Sequence, residues 1–169
     1  RDLCCFSYNS KYVLMTTKFK AFERFMAKLH DLIRWCDQTL KSAEFKDYAP
    51  NGLQIEGKPE VKKILCAVTA SQDAIEAAIA EQADVLLVHH GYFWKGEPYP
   101  ITGMRGKRIK SLIQHDISLV GYHLPLDSHP ELDNNAAIAD ILGLEQLEAL
   151  DPSERHPIGN IGYLKQAMS

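Results

Sequence analysis

Ile64-Leu-Cys-Ala-Val68, then Ser71-Gln-Asp-Ala-Ile-Glu-Ala-Ala-Ile-Ala-Glu-Gln82, then Val85-Leu-Leu-Val88 is the stretch on which the fold turns. The first and third segments are continuous apolar runs, the pattern of strands buried on both faces rather than alternately wetted. Between them Ala74, Ile75, Ala78 and Ile79 fall on one helical face, and Ser71 is placed to cap the helix 72–82. Strand, helix and strand with both strands apolar predict a parallel β-α-β unit whose sheet is covered on both sides.

The pattern repeats toward the carboxyl end. A helix around 104–115, carrying Ile109, Leu112 and Ile113, leads to a third strand, Ile117–Tyr122. A further helix runs over Asn134–Leu142, with Asp133 as cap and Gly143 as stop, and Ile158–Lys165 reads as a strand. Toward the amino end, Phe19, Phe22, Met26, Leu29, Ile33, Cys36 and Leu40 recur at steps of three and four, predicting an amphipathic helix over 17–42. Such a stripe serves a coiled-coil seam or, more commonly, packing against a sheet. Ala49-Pro-Asn-Gly52 marks a turn. The fold class is therefore α/β, a largely parallel sheet with helices on both faces.

Residues 1–14 lack the continuous apolar core of a secretory signal and read as an extension outside the domain, with Met15 or Met26 as candidate starts and a native tail as the alternative. Residues 15–169 read as the domain, and as one cut short, since nothing follows the last strand to close it. The 169 residues are 46% hydrophobic and 24% charged, an ordinary globular composition that excludes a disordered chain. A net charge of −3 supplies no general attraction to nucleic acid, which is not expected as a partner. No apolar run reaches the roughly 20 residues of a membrane-spanning helix. The four cysteines, Cys4, Cys5, Cys36 and Cys66, form no Cys-x-x-Cys pair, which points away from a disulfide or thiolate-zinc scaffold and toward a reducing, cytoplasmic setting.

Ligands of such sheets collect beyond the carboxyl ends of the strands. There the second strand ends in His89-His90-Gly91, and the third in His123, followed by Leu-Pro-Leu-Asp127. Imidazole and carboxylate together suit zinc, iron, manganese or nickel. Adjacent strand residues point to opposite faces, so His89 and His90 are expected to bracket two ions with Asp127 bridging, unless the backbone turns there. His123 is a ligand, a group orienting Asp127, or a structural residue. His129 reads as a surface residue.

Tyr92, Phe93, Trp94 and Tyr99 crowd the loop that follows. They either line a pocket that stacks a flat ring or fold back onto the core or a subunit contact. Arg105, Lys107, Arg108 and Lys110 open the next helix, where positive charge is unfavourable, and mark either an anionic partner or a solvated face. No dinucleotide fingerprint, P-loop or nucleophile elbow occurs.

Tyr48-Ala-Pro-Asn-Gly-Leu-Gln-Ile-Glu-Gly57, Val68-Thr-Ala-Ser71, Val88-His-His-Gly-Tyr-Phe-Trp-Lys-Gly96 and Gly121-Tyr-His-Leu-Pro-Leu-Asp-Ser-His-Pro-Glu-Leu132 resemble the NIF-three-like proteins, especially the YbgI type labelled GTP cyclohydrolase 1 type 2 homologues. The likeness is dense from Asp47 to Gly143. It implies the first lobe of a two-lobed subunit, toroidal homohexamers and a dinuclear metal centre in which His89, His90 and Asp127 are ligands. The family's other two ligands, a His and a Glu four residues later, have no counterpart here, since no His-x-x-x-Glu occurs. The resemblance thus implies a metal-dependent hydrolase acting on a nucleotide or other small molecule. The alternatives are a non-enzymatic metal- or partner-binding ring and an inactive piece lacking two ligands.

Overall fold

Three parallel strands and one antiparallel edge strand form the central sheet of the computed structural model. The structure describes residues 26–166 and, of the chain before them, the backbone of two short strands, β1 (Ser7–Asn9) and β2 (Tyr12–Leu14), which pair antiparallel. The chain divides into two units, Arg1–Tyr122 and His123–Ser169.

In the first unit the sheet order is β4 (Gly52–Ile55), β8 (Ser118–Gly121), β7 (Val85–His90), β6 (Ile64–Thr69). The strand pairs β6–β7 and β7–β8 are parallel, with Thr69 beside His90 and Val88 beside Gly121, so all three parallel strands finish at one end. The crossovers are α2 (Gln72–Ala80) and α3 (Gly103–Gln114). Ser71 accepts a 3.1 Å hydrogen bond from the Ala74 amide and starts α2, as its sequence predicts. Leu65, Leu86, Val88 and Leu119 of the sheet form one core with Ala74, Ile75 and Ala78 of α2 and Ile109 and Leu112 of α3. Each fully buried leucine of this set contributes roughly 1.5–3 kcal/mol. Strand side chains alternate, so Val85 and Val120 serve the opposite face. Tyr122, next on that face, reaches α1 (Leu29–Leu40), donating to Asp37 Oδ1 at 2.9 Å.

Two expectations need revision. Among the described residues the helix predicted over 17–42 is the twelve residues of α1. Phe19 and Phe22 lie outside the described residues, Met26 is not helical, and β3 (Ala27–Lys28) is extended because its backbone pairs with β5 (Glu60–Val61). Lys41, in the left-handed region at φ 51°, ends the helix. The turn at 49–52 also leads directly into β4, which the sequence reading missed. Gly52 has φ 98° and pairs with Gly121. The sheet is thus parallel with an antiparallel edge. The expected extension over 1–14 lies mostly outside the described residues.

The second unit begins with a single helical turn, α4 (Leu124–Asp127). Helix α5 spans Asn134–Leu142, with the Asp133 carboxylate accepting from the Ala136 amide and Gly143 in the left-handed cap at φ 65°, as predicted. The predicted last strand is β10 (Asn160–Leu164), which pairs antiparallel with β9 (Leu144–Ala149). Among the described residues no helix is long and apolar enough to cross a membrane.

Candidate metal centre

Strand β7 ends with two histidines whose backbone remains in the sheet: Ala70 donates to the His90 carbonyl at 2.9 Å, and Tyr122 donates to the Val88 carbonyl at 3.0 Å. His89 Nδ1 lies 3.0 Å from the Tyr122 carbonyl. A carbonyl only accepts, so Nδ1 carries the hydrogen and the neutral ring keeps its lone pair on Nε2, the tautomer of a metal ligand. His90 Nδ1 is 3.2 Å from the Thr69 hydroxyl across the β6–β7 pair. The two rings meet, their centroids 4.3 Å apart. The pleat directs neighbouring side chains to opposite faces, but here the strand stops and Gly91 follows. At this end of the strand His89 reaches the Tyr122 carbonyl and His90 the Thr69 hydroxyl, and the two rings approach each other instead of parting to opposite faces.

His123 is joined by one peptide bond to Tyr122, which is buried and hydrogen-bonded into the sheet. One nitrogen from each of His89, His90 and His123 lies within 4.8 Å of the others, and all three residues are half-buried. Imidazole nitrogens sharing one tetrahedral ion at about 2.0–2.1 Å stand roughly 3.4 Å apart, the separation the trio would reach around a bound cation. This is a histidine cluster capable of holding a metal. Asp127 stands one turn along α4 from His123, its Oδ2 4.0 Å from His123 Nε2. His129 lies in a loop and is partly exposed. Its Nδ1 accepts from the amides of Glu131 and Leu132 at 3.2 and 3.1 Å and shapes their loop.

The aromatic loop divides. Tyr92 is a core residue whose hydroxyl donates to the Ala70 carbonyl, and Phe93 packs against the same core. Burial pushes the Tyr92 phenol up, against the opposing pull of the Arg108 guanidinium beside it. Trp94 alone of the three stands beside a site histidine, its ring centroid 6.0 Å from that of His90. The basic cluster divides as well: Lys107 and Lys110 are solvated, whereas Arg105 and Arg108 turn toward the aromatic loop.

Sequence reasoning missed Gln54. From β4 it donates to the Pro50 carbonyl at 2.9 Å and accepts from the Tyr92 amide at 2.8 Å. Its side chain lies against both Gly91 and Gly121, where an added β-carbon would collide with it. The glycines flanking the histidines thus make room for the glutamine that ties the two strand ends together. The signal available was that all three residues fall in the stretches that carry the family resemblance.

A family model described as Duf34/NIF3 (NGG1p interacting factor 3) matches residues 27–169. A GTP cyclohydrolase 1 type 2 homolog of Haemophilus influenzae is 58% identical over 140 residues, covering 82% of this chain and 55% of that protein. A protein of the same name from Neisseria meningitidis serogroup B is 50% identical over 142 residues, covering 84% and 56%. The chain spans about half the length of these curated relatives. Among solved structures, protein ybgI, described as of unknown function, aligns with a TM-score of 0.70 at 50% identity over 73% of this chain and 49% of its own. A protein from Thermus thermophilus, TTHA1606, aligns with a TM-score of 0.70 at 42% identity, covering 74% and 52%.

Proposed function

This chain belongs to the Duf34/NIF3 family, and from that footing we propose that it forms part of a divalent-metal centre with hydrolytic chemistry. The observation that carries the reading is the convergence of His89, His90 and His123 within 4.8 Å. His89 and His90 are the proposed ligands from the first unit, His123 supplies a third imidazole, and Asp127 supplies the carboxylate. The donor set suits iron, zinc, manganese or nickel, with two ions in an intact subunit. A bound ion of this kind lowers the pKa of coordinated water toward about 7 and polarises an acceptor group. The Tyr122 carbonyl holds the His89 ring in the ligating tautomer, and the Thr69 hydroxyl orients His90. Trp94 offers a flat aromatic surface beside His90 on which a ring-bearing substrate would stack.

The names of the relatives point to opening of a purine-nucleotide ring as the reaction to assay first. A second reading, a metal- or partner-binding ring of identical subunits, is favoured by the second unit. Ile138, Ile141 and Leu142 of α5 and Ile161, Tyr163 and Leu164 of β10 are exposed, with Ile141 at 82%, and they supply apolar side chains that a partner subunit would cover. A cytoplasmic location accords with the unbridged thiols of Cys36 and Cys66.

One experiment tests both readings. The chain is loaded with iron, zinc or manganese, bound metal per subunit is measured, and GTP ring opening is followed alongside phosphoester cleavage. Turnover lost in Asp127→Ala supports the hydrolase. Tight metal without turnover supports the binding ring. Absence of bound metal from the wild-type chain overturns the metal centre itself.

A further inference from the structure

We propose that Arg105 and Glu97 are positioning residues, a latch that holds Trp94 against His90 and so sets one wall of the histidine site. Arg105 occupies the first turn of α3, where the helix dipole disfavours a cation, and neither an acidic residue nor a side-chain cap is present there to offset it. Yet its side chain is only 16% exposed. Its guanidinium donates to Glu97 Oε2 at 2.7 Å, to the Pro98 carbonyl, and to the Pro100 carbonyl at 3.0 Å. Proline has no amide hydrogen to anchor its own backbone, so this loop depends on donors from outside.

Glu97 passes the constraint on. Its Oε2 also accepts from the Trp94 amide at 3.1 Å, and its own amide donates to the Trp94 carbonyl at 3.0 Å. The indole is fixed in turn by Nε1 donating to the Gly91 carbonyl at 3.0 Å. An unbroken path therefore runs from Arg105 through Glu97 to Trp94, whose ring faces His90 at 6.0 Å. The preceding residue gives a second, independent observation. Phe93 has φ 66°, a left-handed conformation that a bulky side chain holds only where its surroundings over-determine it. Phe93 packs against the core on one side of Trp94, and the fork of Arg105 holds the loop on the other, where a lysine, with one point of charge, cannot replace three directed bonds.

The test uses the full chain carrying Trp35→Phe, which leaves Trp94 the only indole of the two present. Acrylamide quenching reads its exposure without any metal. With Arg105→Gln added, the quenching constant rises about threefold, and Arg105→Lys recovers only part of the protection. An unchanged constant overturns the latch. The second readout rests on the metal-centre reading: cobalt(II) is followed by its visible absorption and by its quenching of Trp94. In the Arg105→Gln chain the absorption persists while the quenching falls by about half, as expected if the metal is bound and the indole has moved away. Equal quenching in both chains overturns the latch. Failure of cobalt to bind the Trp35→Phe chain overturns the metal reading and leaves acrylamide to decide the latch. Should Arg105→Gln not fold, Glu97→Gln takes its place with the same deciding outcomes.

Discussion

The Gln54 side chain fills the position a β-carbon on Gly121 would need, its Nε2 2.8 Å from that point, and it crowds Gly91 on the neighbouring strand even more closely. One amide thus joins β4 to the ends of both strands that present histidines. Each of those strands must carry glycine where the amide passes.

Gly91→Ala is therefore expected to destabilise the fold by about 1–3 kcal/mol, because the methyl group displaces Gln54 and the Tyr92 amide loses its acceptor. Urea denaturation measures the loss. Combined with Gln54→Ala, the two changes cost less than their sum, since each breaks the same bond.

His89→Ala and His123→Ala each remove one nitrogen of the trio and are expected to weaken zinc binding at least about 100-fold. Thr69→Val, which removes only the hydroxyl beside His90, weakens it about 10-fold. Competition with a chromophoric chelator reads all three. In the wild-type chain, zinc at about 100 times its dissociation constant adds roughly 2.7 kcal/mol of stability, and a chelator removes it.

Burial, with the Asp37 carboxylate that the hydroxyl bonds, holds the Tyr122 phenol well above its ordinary value. Above about pH 10 the unfolded chain releases this proton while the folded chain retains it, so stability is full below pH 10 and falls as pH rises. Cys36 and Cys66, raised chiefly by burial, begin the same loss above about pH 8.5, and Tyr92 adds to it. Tyr122→Phe is expected to cost about 1–2 kcal/mol at pH 7. It also flattens the decline above pH 10 by about 1.4 kcal/mol per pH unit, as read from denaturation midpoints across pH.

The two predicted caps give a separate check on each unit. Ser71→Ala and Asp133→Ala are each expected to cost about 1 kcal/mol, whereas glycine at either position costs only a few tenths. Amide exchange localises the first loss to α2 and the second to α5.

The parallel core and its helices were legible because their signals are local. The runs at Ile64 and Val85 and the caps Ser71 and Asp133 each declare themselves within a few residues. Strand β4 was hidden because a strand of four residues that begins on the glycine of an Asn-Gly turn carries little periodicity, and its partner lies far along the chain. The start of α1 was hidden for a related reason: Ala27–Lys28 fit the helical stripe, and only pairing with Glu60–Val61 draws them into an extended form. His89, His90 and His123 were legible from their place at the strand ends. That His89 and His90 approach each other was not, because pleat geometry describes a strand's interior and these residues close it. The division of the aromatic loop was not legible, because contacts outside the loop separate its members: Tyr92 bonds the Ala70 carbonyl, whereas Trp94 stands beside His90.

The antiparallel edge has a temporal consequence. During synthesis Gly52–Ile55 leaves the ribosome long before Ser118–Gly121, the only strand of the sheet beside which it lies. The nascent chain must therefore hold this segment unpaired until most of the first unit has emerged, and closing so long a loop makes the edge a late event. Gln54 sits on that segment, so the strand ends bearing the histidines are fastened together only when the last strand of the sheet arrives.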